Sequence, residues 1–318
     1  MITSPSMFGA LRDRADNGVL DLVGIGGPLS GTSGTGVNVA GFGSTYTNLS
    51  NGLRYWNENL ASSPYWTPLH FVHKGILGFH TDFIDGTGSA LASTTASVTL
   101  ASGLRIFGAG QAVSDSGLVV SFGADGAIAR ATSSATTNLP LALGFLGSTV
   151  PFDPATNGPL VVDADFTVIT DLLTKRVFLG FVGTAADGLV SPVTGSSTTL
   201  TLVQDDVSGM MFDSGMTAAT RIYAPHNKVD EAATIASSAA GVDTGVNVSA
   251  VTVYQRWRVE ISPAGVMTCF INKAQVASIN ASASPTVDLA PVFLISGTSS
   301  AVDVMDLKRF STWASRVS

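Results

Sequence analysis

The fold is decided by two runs near the carboxyl terminus, Trp257-Arg258-Val259-Glu260-Ile261 and Met267-Thr268-Cys269-Phe270-Ile271-Asn272-Lys273. The first run alternates apolar and charged side chains, which is the period of a strand with one face in a core. Between the runs, Ser262-Pro263-Ala264-Gly265 supplies a proline with a preset φ and a glycine that tolerates positive φ. These features predict a β-hairpin in a sandwich, with Trp257 in the core and Cys269 a buried, inert thiol.

The same pattern continues through most of the chain. Short apolar or alternating runs recur from Leu69 onward, and Ser121-Phe122-Gly123-Ala124-Asp125-Gly126 places an Asp-Gly turn between two of them. Helix signals are confined to a short stretch from Ser6 to Asp16, and Asp230 to Val246 has the composition of a long surface loop. We therefore predict an all-β protein, an antiparallel β-sandwich of the jelly-roll type.

Composition favours a protein with a weakly charged surface. The chain has 318 residues, of which 45% are hydrophobic and 12% charged, against about 25% charged in average chains. Such a surface suits a subunit packed into an assembly, and it equally suits an ordinary β-rich domain with many Ser and Thr strands. The net charge of −7 and the absence of a basic stripe argue against nucleic acid as a partner.

Cysteine content and hydropathy set further expectations. Cys269 is the single cysteine, so neither a disulfide within the chain nor a cysteine metal cluster is expected. We see no secretion signal at the amino terminus and no apolar run long enough to span a bilayer. We expect a protein made in the cytoplasm, with no membrane partner.

The first 67 residues differ from the rest. Glycine, serine and threonine dominate residues 24–36, and bulky aromatics such as Tyr55 and Trp56 follow. This is typical of an extended, glycine-rich arm that becomes ordered on a partner, and equally of an arm folded back on its own domain. We predict an N-terminal anchoring segment at 1–67 and a β-sandwich domain at 68–318.

The run from Arg256 to Val276 resembles the strand pair of the concanavalin A-like jelly roll, a family that includes the laminin-G-like domains. In that family an aromatic-rich strand is often followed by an Asn-Gly turn, whereas this chain has Lys273 after Asn272. The resemblance covers residues 100–310. It implies the sandwich fold and no particular reaction.

The whole chain also resembles virion proteins of tailed bacteriophages, because a glycine-rich front precedes a sandwich with segments such as Ser116-Gly117-Leu118-Val119-Val120. This resemblance implies a non-catalytic protein of the capsid surface that decorates or cements the capsid. Its implied partners are the major capsid protein and copies of itself in a homotrimer. The alternative is a tail-fibre or receptor-binding module with a glycan-binding jelly roll, although no repetitive fibre shaft is visible.

Two sets of contact residues follow from these hypotheses. On the arm, apolar side chains would anchor the protein to capsid subunits, and the candidates are Phe8, Leu11, Leu20, Leu22 and Val23. On the sandwich, side chains of a predicted loop would hold a glycan, and the candidates are Tyr223, His226 and Asn227.

Catalytic patterns are weak. Glycoside hydrolysis needs two carboxylates across the scissile bond, and the nearest pair, Asp163 and Asp165, lies on one strand face, which we interpret as solvated. A histidine group at His70, His73 and His80 has strand spacing that splits its first two members between opposite faces. We therefore predict no enzyme, no catalytic or metal-binding residues and no cofactor.

Overall fold

The computed structural model describes the chain except residues 1–6, 14–17, 71–75, 82–89, 92–97, 100–103, 111–116, 124–125, 146–151, 229–233, 281, 301 and 316–318. Two antiparallel sheets of nine strands each form a sandwich, which confirms the predicted all-β class. The core between the two sheets is a single cluster of buried apolar side chains drawn from both.

The first sheet has a strand order that is far from sequence order. From edge to edge it contains β24 (Ala274–Ile279), β23 (Met267–Ile271), β22 (Gln255–Ile261), β13 (Leu160–Val168), β26 (Val304–Ser315), β11 (Gly126–Thr132), β10 (Gly117–Gly123) and β7 (Ala90–Leu91), with β6 (Ile76–Thr81) also paired to β26.

The second sheet faces it. Its order is β21 (Asp243–Asn247), β18 (Arg221–Tyr223), β17 (Val207–Asp213), β14 (Lys175–Val182), β25 (Ala290–Gly297), β12 (Leu141–Gly144), β9 (Arg105–Phe107) and β8 (Val98–Thr99), with β19 (His226–Asn227) also paired to β17.

The hairpin that decided the prediction is present, because β22 and β23 pair antiparallel. Trp257 is fully buried in the core and packs edge-on against Phe166, with 4.9 Å between ring centroids. The expectation of a buried Cys269 is also confirmed, and burial raises the pKa of its thiol. Alternation therefore identified the inward face of β22 correctly, because strand side chains point to opposite faces in turn.

Two turns shape this edge of the sheet. Gly265 has φ +75°, and a Cβ at this position would lie 2.3 Å from the Ala283 carbonyl oxygen. In the turn between β23 and β24, Asn272 and Lys273 have φ of 49° and 71°. Two positive φ angles in a two-residue connection are typical of the hairpin turn that prefers Asn-Gly. Lys273 thus takes the left-handed conformation at the position where the related pattern has glycine.

Two other local predictions gave different results. The Asp-Gly hairpin is confirmed, since β10 and β11 pair with Gly123 opposite Gly126. The segment Asp230–Val246 is not one long loop, because it contains β20 (Thr234–Ala236) and most of β21. Propensity missed these strands because their alternate side chains are small or polar, and their pairing depends on strands distant in sequence.

A small three-stranded sheet covers part of the outer face of the second sheet. It consists of β15 (Val193–Ser196), β16 (Thr199–Leu202) and β20. A second apolar cluster joins Leu200 of this sheet to Phe178 and Met211 of the second sheet. The second sheet is therefore buried on both faces there, which explains the uninterrupted burial of β14 and β17.

The N-terminal segment is more ordered than an extended arm. It forms a five-stranded sheet, with β2 and β3 parallel and the other pairs antiparallel, made of β1 (Met7–Asp13), β2 (Leu20–Gly24), β3 (Thr45–Asn48), β4 (Arg54–Asn57) and β5 (Trp66–Pro68). The predicted helix from Ser6 to Asp16 is wrong, because β1 is a strand paired with β2. The predicted boundary between residues 67 and 68 stays a prediction.

This N-terminal sheet has a core of its own. Leu22, Tyr46, Tyr55 and Trp66 are buried together, with the Tyr46 ring 6.2 Å from Tyr55 and 6.0 Å from Trp66 between centroids. Aromatic side chains bury much apolar area each, so a few of them stabilise a small sheet. Within the described residues the one α-helix is α1 (Pro154–Asn157), and none is long and apolar enough to cross a membrane.

Candidate functional site

A buried cluster of charged side chains joins the N-terminal sheet to the outer face of the first sheet. We call it the seam network; it comprises Glu58, Tyr65, Asp163, Arg256 and Arg258. The Asp163 carboxylate is 1% exposed and accepts hydrogen bonds from Nε and Nη2 of Arg256, at 2.9 and 2.7 Å. It also accepts from Arg258 Nε at 2.8 Å and from the Tyr65 hydroxyl at 3.0 Å. Arg256 Nη1 donates to Glu58 at 2.8 Å.

Arg258 links the two sheets directly. Its Nη1 donates to the Trp66 carbonyl oxygen at 2.8 Å, and its Nη2 donates to the Thr67 hydroxyl at 2.9 Å. The guanidinium lies 3.5 Å from the centroid of the Tyr65 ring, a cation–π geometry. Because Arg258 is fully buried, these contacts replace the water that a guanidinium would otherwise bind.

The network changes the acidity of its members in opposite directions. Burial alone would raise the pKa of Asp163, but the positive charges of Arg256 and Arg258 outweigh it and hold that pKa well below its usual range. In the same way, Arg256 overcomes the effect of burial and lowers the pKa of Glu58 to about 2. Burial raises the pKa of the Tyr65 hydroxyl, so this group stays a donor to Asp163. The network is therefore a charged, fully bonded interface.

A cleft of about 150 Å³ opens beside the network, between loop 29–33 of the N-terminal segment and strands β22, β23 and β24. We call it the seam cleft. Glu260, which is 4% exposed, lines it and accepts hydrogen bonds from the Ser30 backbone N–H at 3.1 Å and from Arg258 Nη1 at 3.3 Å. Burial raises the pKa of Glu260, and the Arg258 charge opposes this rise in part.

The N-terminal segment also exposes apolar side chains. Phe42 and Trp56 are 57% and 41% exposed and pack edge-to-face, 6.3 Å between ring centroids. Among the described residues, seven of the fourteen exposed large hydrophobic side chains fall in the 45-residue stretch between residues 25 and 69. They are Ile25, Val39, Phe42, Leu49, Trp56, Leu60 and Leu69.

The predicted anchor residues lie at different depths. Phe8 and Leu11 belong to β1, and their side chains lie outside the described residues. Leu22 is 1% exposed inside the N-terminal core, and Leu20 packs partly buried against it. Val23 is half-buried on the opposite face of β2. Burial of Leu22 within its own sheet leaves it no surface to offer a partner, and the contact role of the other four stays a prediction.

The predicted glycan residues do not form an open site. Tyr223 is 2% exposed and belongs to the second apolar cluster, and Asn227 is 3% exposed. His226 is half-buried, with Nδ1 3.3 Å from the Ala224 carbonyl oxygen. Tyr223 and Asn227 lie in strands β18 and β19 and not in the expected loop. A pyranose would have no ring of Tyr223 to stack on, because the second apolar cluster covers it.

Of the two carboxylates considered for catalysis, Asp163 and Asp165, the first belongs to the buried seam network. Asp163 and Asp165 share the outer face of β13, as predicted, because they are two residues apart on one strand. The expected solvated face is wrong for Asp163, since the N-terminal sheet covers it. Its bonds to Arg256, Arg258 and Tyr65 hold it as a fixed anion, which is unsuited to proton transfer at neutral pH.

The structure describes two members of the histidine group, His70 and His80. His73 lies outside the described residues, and His80 Nδ1 is 2.6 Å from the Ser311 hydroxyl oxygen. In the part of the chain that the structure describes, no three His, Cys, Asp or Glu side chains are placed to hold a metal ion.

Comparisons with known proteins give structural neighbours alone. No protein-family model and no curated protein matches the chain. A protein of unknown function from Shewanella oneidensis MR-1 is 13% identical, with a TM-score of 0.44 over 77% of this chain and 89% of that one. Peanut lectin is 9% identical, with a TM-score of 0.44 over 75% and 97%. The carbohydrate recognition domain of Emp46p is 8% identical, with a TM-score of 0.41 over 66% and 87%. All three identities are below 25% and all three TM-scores are below 0.5, so none of these neighbours indicates a function for this chain.

The seam network was not predicted from the sequence, yet one signal pointed to it. Arg256, Arg258 and Glu260 occupy three successive outward positions of β22 in a chain with 12% charged residues. Charges concentrated in this way on one strand face indicate either a solvated face or a buried polar interface. Period-two alternation cannot distinguish the two, because it identifies the face and not what covers it.

Proposed function

We propose that this chain is a non-catalytic structural protein that attaches to a larger protein assembly through its N-terminal sheet. In its specific form, the assembly is a tailed-phage capsid, and the chain decorates or cements the capsid surface as a homotrimer. The phage assignment is supported by the resemblance in the sequence. The attachment surface is supported by the exposed Phe42–Trp56 pair.

The pair carries the proposal because exposed aromatic side chains are costly in water and favoured at interfaces. Trp and Tyr with Arg dominate the binding energy of protein interfaces, and large exposed apolar patches mark interaction sites. Phe42 and Trp56 meet edge-to-face on the N-terminal sheet, next to Thr45, which lies opposite Trp56 in the β3–β4 pairing. An exposed apolar pair of this kind suits the centre of a protein contact.

The seam network supports the same function by fixing the sheet that carries this surface. Two buried arginines, Asp163 and Tyr65 hold the N-terminal sheet on the sandwich. A surface held rigidly before binding loses less conformational entropy when a partner docks. The low charge of the chain also fits close packing between neighbouring subunits.

The test uses two double variants. Phe42→Ser with Trp56→Ser removes the proposed contact, and Leu173→Ser with Val253→Ser removes two exposed apolar side chains of the sandwich as a matched control. All four side chains are exposed, so each double variant should keep its stability within about 1 kcal/mol. The assay is co-sedimentation of purified chain with phage particles assembled from a genome that lacks this gene.

We expect the Phe42/Trp56 variant to bind the particles at least about 30-fold more weakly, which corresponds to about 2 kcal/mol for a buried aromatic anchor. The control should bind like the wild type, and sedimentation velocity of the free chain should give a trimer. Unchanged particle binding by the Phe42/Trp56 variant would remove the basis for the proposal.

The alternative function is a receptor-binding module that holds a glycan at Tyr223, His226 and Asn227. These residues support that function less well than the exposed Phe42–Trp56 pair supports attachment. Two of the three side chains are buried. A glycan array with the wild type and a His226→Ala variant tests this alternative, since a glycan held at these residues should lose its signal in the variant, whereas a glycan bound elsewhere should keep it.

A further inference from the structure

The seam cleft is a second candidate site, separate from the exposed aromatic pair. Its volume of about 150 Å³ corresponds to several water molecules at about 30 Å³ each. It is smaller than the roughly 300 Å³ at which sites for drug-sized molecules begin. The cleft therefore suits a single small polar unit.

One wall of the cleft is a row of oxygen-bearing side chains that crosses three strands. Glu260 on β22 lies opposite Thr268 on β23, and Thr268 lies opposite Ser278 on β24. Neighbouring strands are about 4.8 Å apart, so the row presents three polar groups at regular intervals of about that length. Hydroxyl groups on opposite sides of a sugar ring have a comparable separation.

The other wall adds backbone, hydroxyl and apolar groups from the N-terminal segment. Leu29, Ser30 and Ser33 lie across from the row, and Val266 adds an apolar contact on the strand side. Gln275 also lines the cleft, and its Oε1 accepts from the Thr32 N–H at 2.7 Å, which leaves its amide nitrogen to donate. A mixture of hydroxyls, an amide and two aliphatic side chains matches a ligand with both hydroxyl groups and an apolar ring face.

The charges of Glu260 and Arg258 limit the class of ligand that the seam cleft can bind. Glu260 is 4% exposed and accepts hydrogen bonds from the Ser30 backbone N–H, the Ser30 side chain and Arg258, whereas a carboxylate accepts about four. An anion is disfavoured by this carboxylate. A divalent cation is disfavoured by the Arg258 guanidinium, which is bonded to the same carboxylate at 3.3 Å. A neutral donor such as a sugar hydroxyl fits the remaining acceptor capacity.

We propose that the seam cleft binds one neutral sugar unit, such as the terminal residue of a glycan. Its hydroxyls would bond Glu260, Thr268 and Ser278, and its apolar face would lie against Leu29 on the opposite wall. The site is formed jointly by the N-terminal segment and the sandwich, so the docking of the N-terminal sheet creates it. The proposal does not depend on attachment to a capsid.

The experiment uses the full chain and four neutral sugars: glucose, galactose, mannose and N-acetylglucosamine. Saturation-transfer-difference NMR at millimolar sugar detects binding, and titration calorimetry gives the affinity, with Ca²⁺ and K⁺ as separate ligands. Thr268→Val removes one hydroxyl of the row, and Ser278→Phe fills the mouth of the cleft at an exposed position. Thr201→Val, at an exposed position of β16, is the matched control.

We expect at least one sugar to bind the wild type. Thr268→Val should weaken this binding about fivefold, the effect of one hydrogen bond, and Ser278→Phe should abolish it. Thr201→Val should leave it unchanged. Circular dichroism and urea unfolding verify that each variant is folded. The proposal is overturned if none of the four sugars binds, if the cations bind and the sugars do not, or if both cleft variants bind like the wild type.

Discussion

Replacing Asp163 by Asn should separate the N-terminal sheet from the sandwich. The carboxylate is 1% exposed and bonds Arg256, Arg258 and Tyr65. Asn has nearly the same shape but no charge, so two buried guanidinium groups would lose their shared anion. Removing one partner of a buried ion pair costs about 3 to 5 kcal/mol, a large part of the roughly 5 to 15 kcal/mol that stabilises a domain.

Asp165→Asn is the matched control. Asp165 lies two residues along the same strand face and is half-buried. Burial raises its pKa, whereas the arginines hold the pKa of Asp163 low. A raised pKa means that the folded state disfavours the charged form, so removal of this charge should leave the stability unchanged or slightly increase it.

Urea unfolding at pH 7 measures both free energies, and hydrogen exchange by mass spectrometry locates the effect. In Asp163→Asn, amides of β3, β4 and β5 should exchange much faster than in the wild type, while β14 and β17 keep most of their protection. A loss below about 1 kcal/mol, or equal losses for the two variants, would refute the idea that Asp163 holds the two sheets together.

Three further outcomes follow from the same structure. Gly265→Ala and Gly245→Ala both place a side chain at φ +75°, but a Cβ meets a carbonyl oxygen 2.3 Å away at Gly265 and nothing within 4 Å at Gly245. In thermal unfolding, Gly245→Ala should cost about 1 kcal/mol and Gly265→Ala clearly more; equal costs would contradict the contact. Tyr65→Phe should cost about 1.5 to 3 kcal/mol in urea unfolding, because its hydroxyl bonds a charged group; a neutral result would show that this bond is not needed. Glu58 has a pKa lowered from 4.5 to about 2, so its stabilisation is complete above pH 4.5 and is lost as pH falls towards 2. The lowered pKa of Asp163 makes its stabilisation decrease in the same direction as pH falls below 3.8. Urea midpoints measured between pH 7 and pH 2 should therefore drop within that window, and a midpoint that rises there would contradict the assignment.

Local patterns were sufficient for the sandwich itself. The alternation at 257–261 placed Trp257 inward, and Gly265 marked the turn, because both features depend on neighbouring residues alone. The same reasoning failed for the N-terminal segment. Its glycines suggested an arm, but Tyr46, Tyr55 and Trp66 are close enough in three dimensions to form a core.

Composition and strand periodicity were enough to predict the class of fold and the outward face of β22, on which Arg256, Arg258 and Glu260 lie. Tertiary structure alone decided what covers that face. Tyr65 and Asp163 are separated by 98 positions in the chain and meet at 3.0 Å. A strand period specifies the direction of a side chain, whereas its partner depends on how distant segments pack. Whether an outward charge meets water or a second sheet is therefore decided only by the assembled fold.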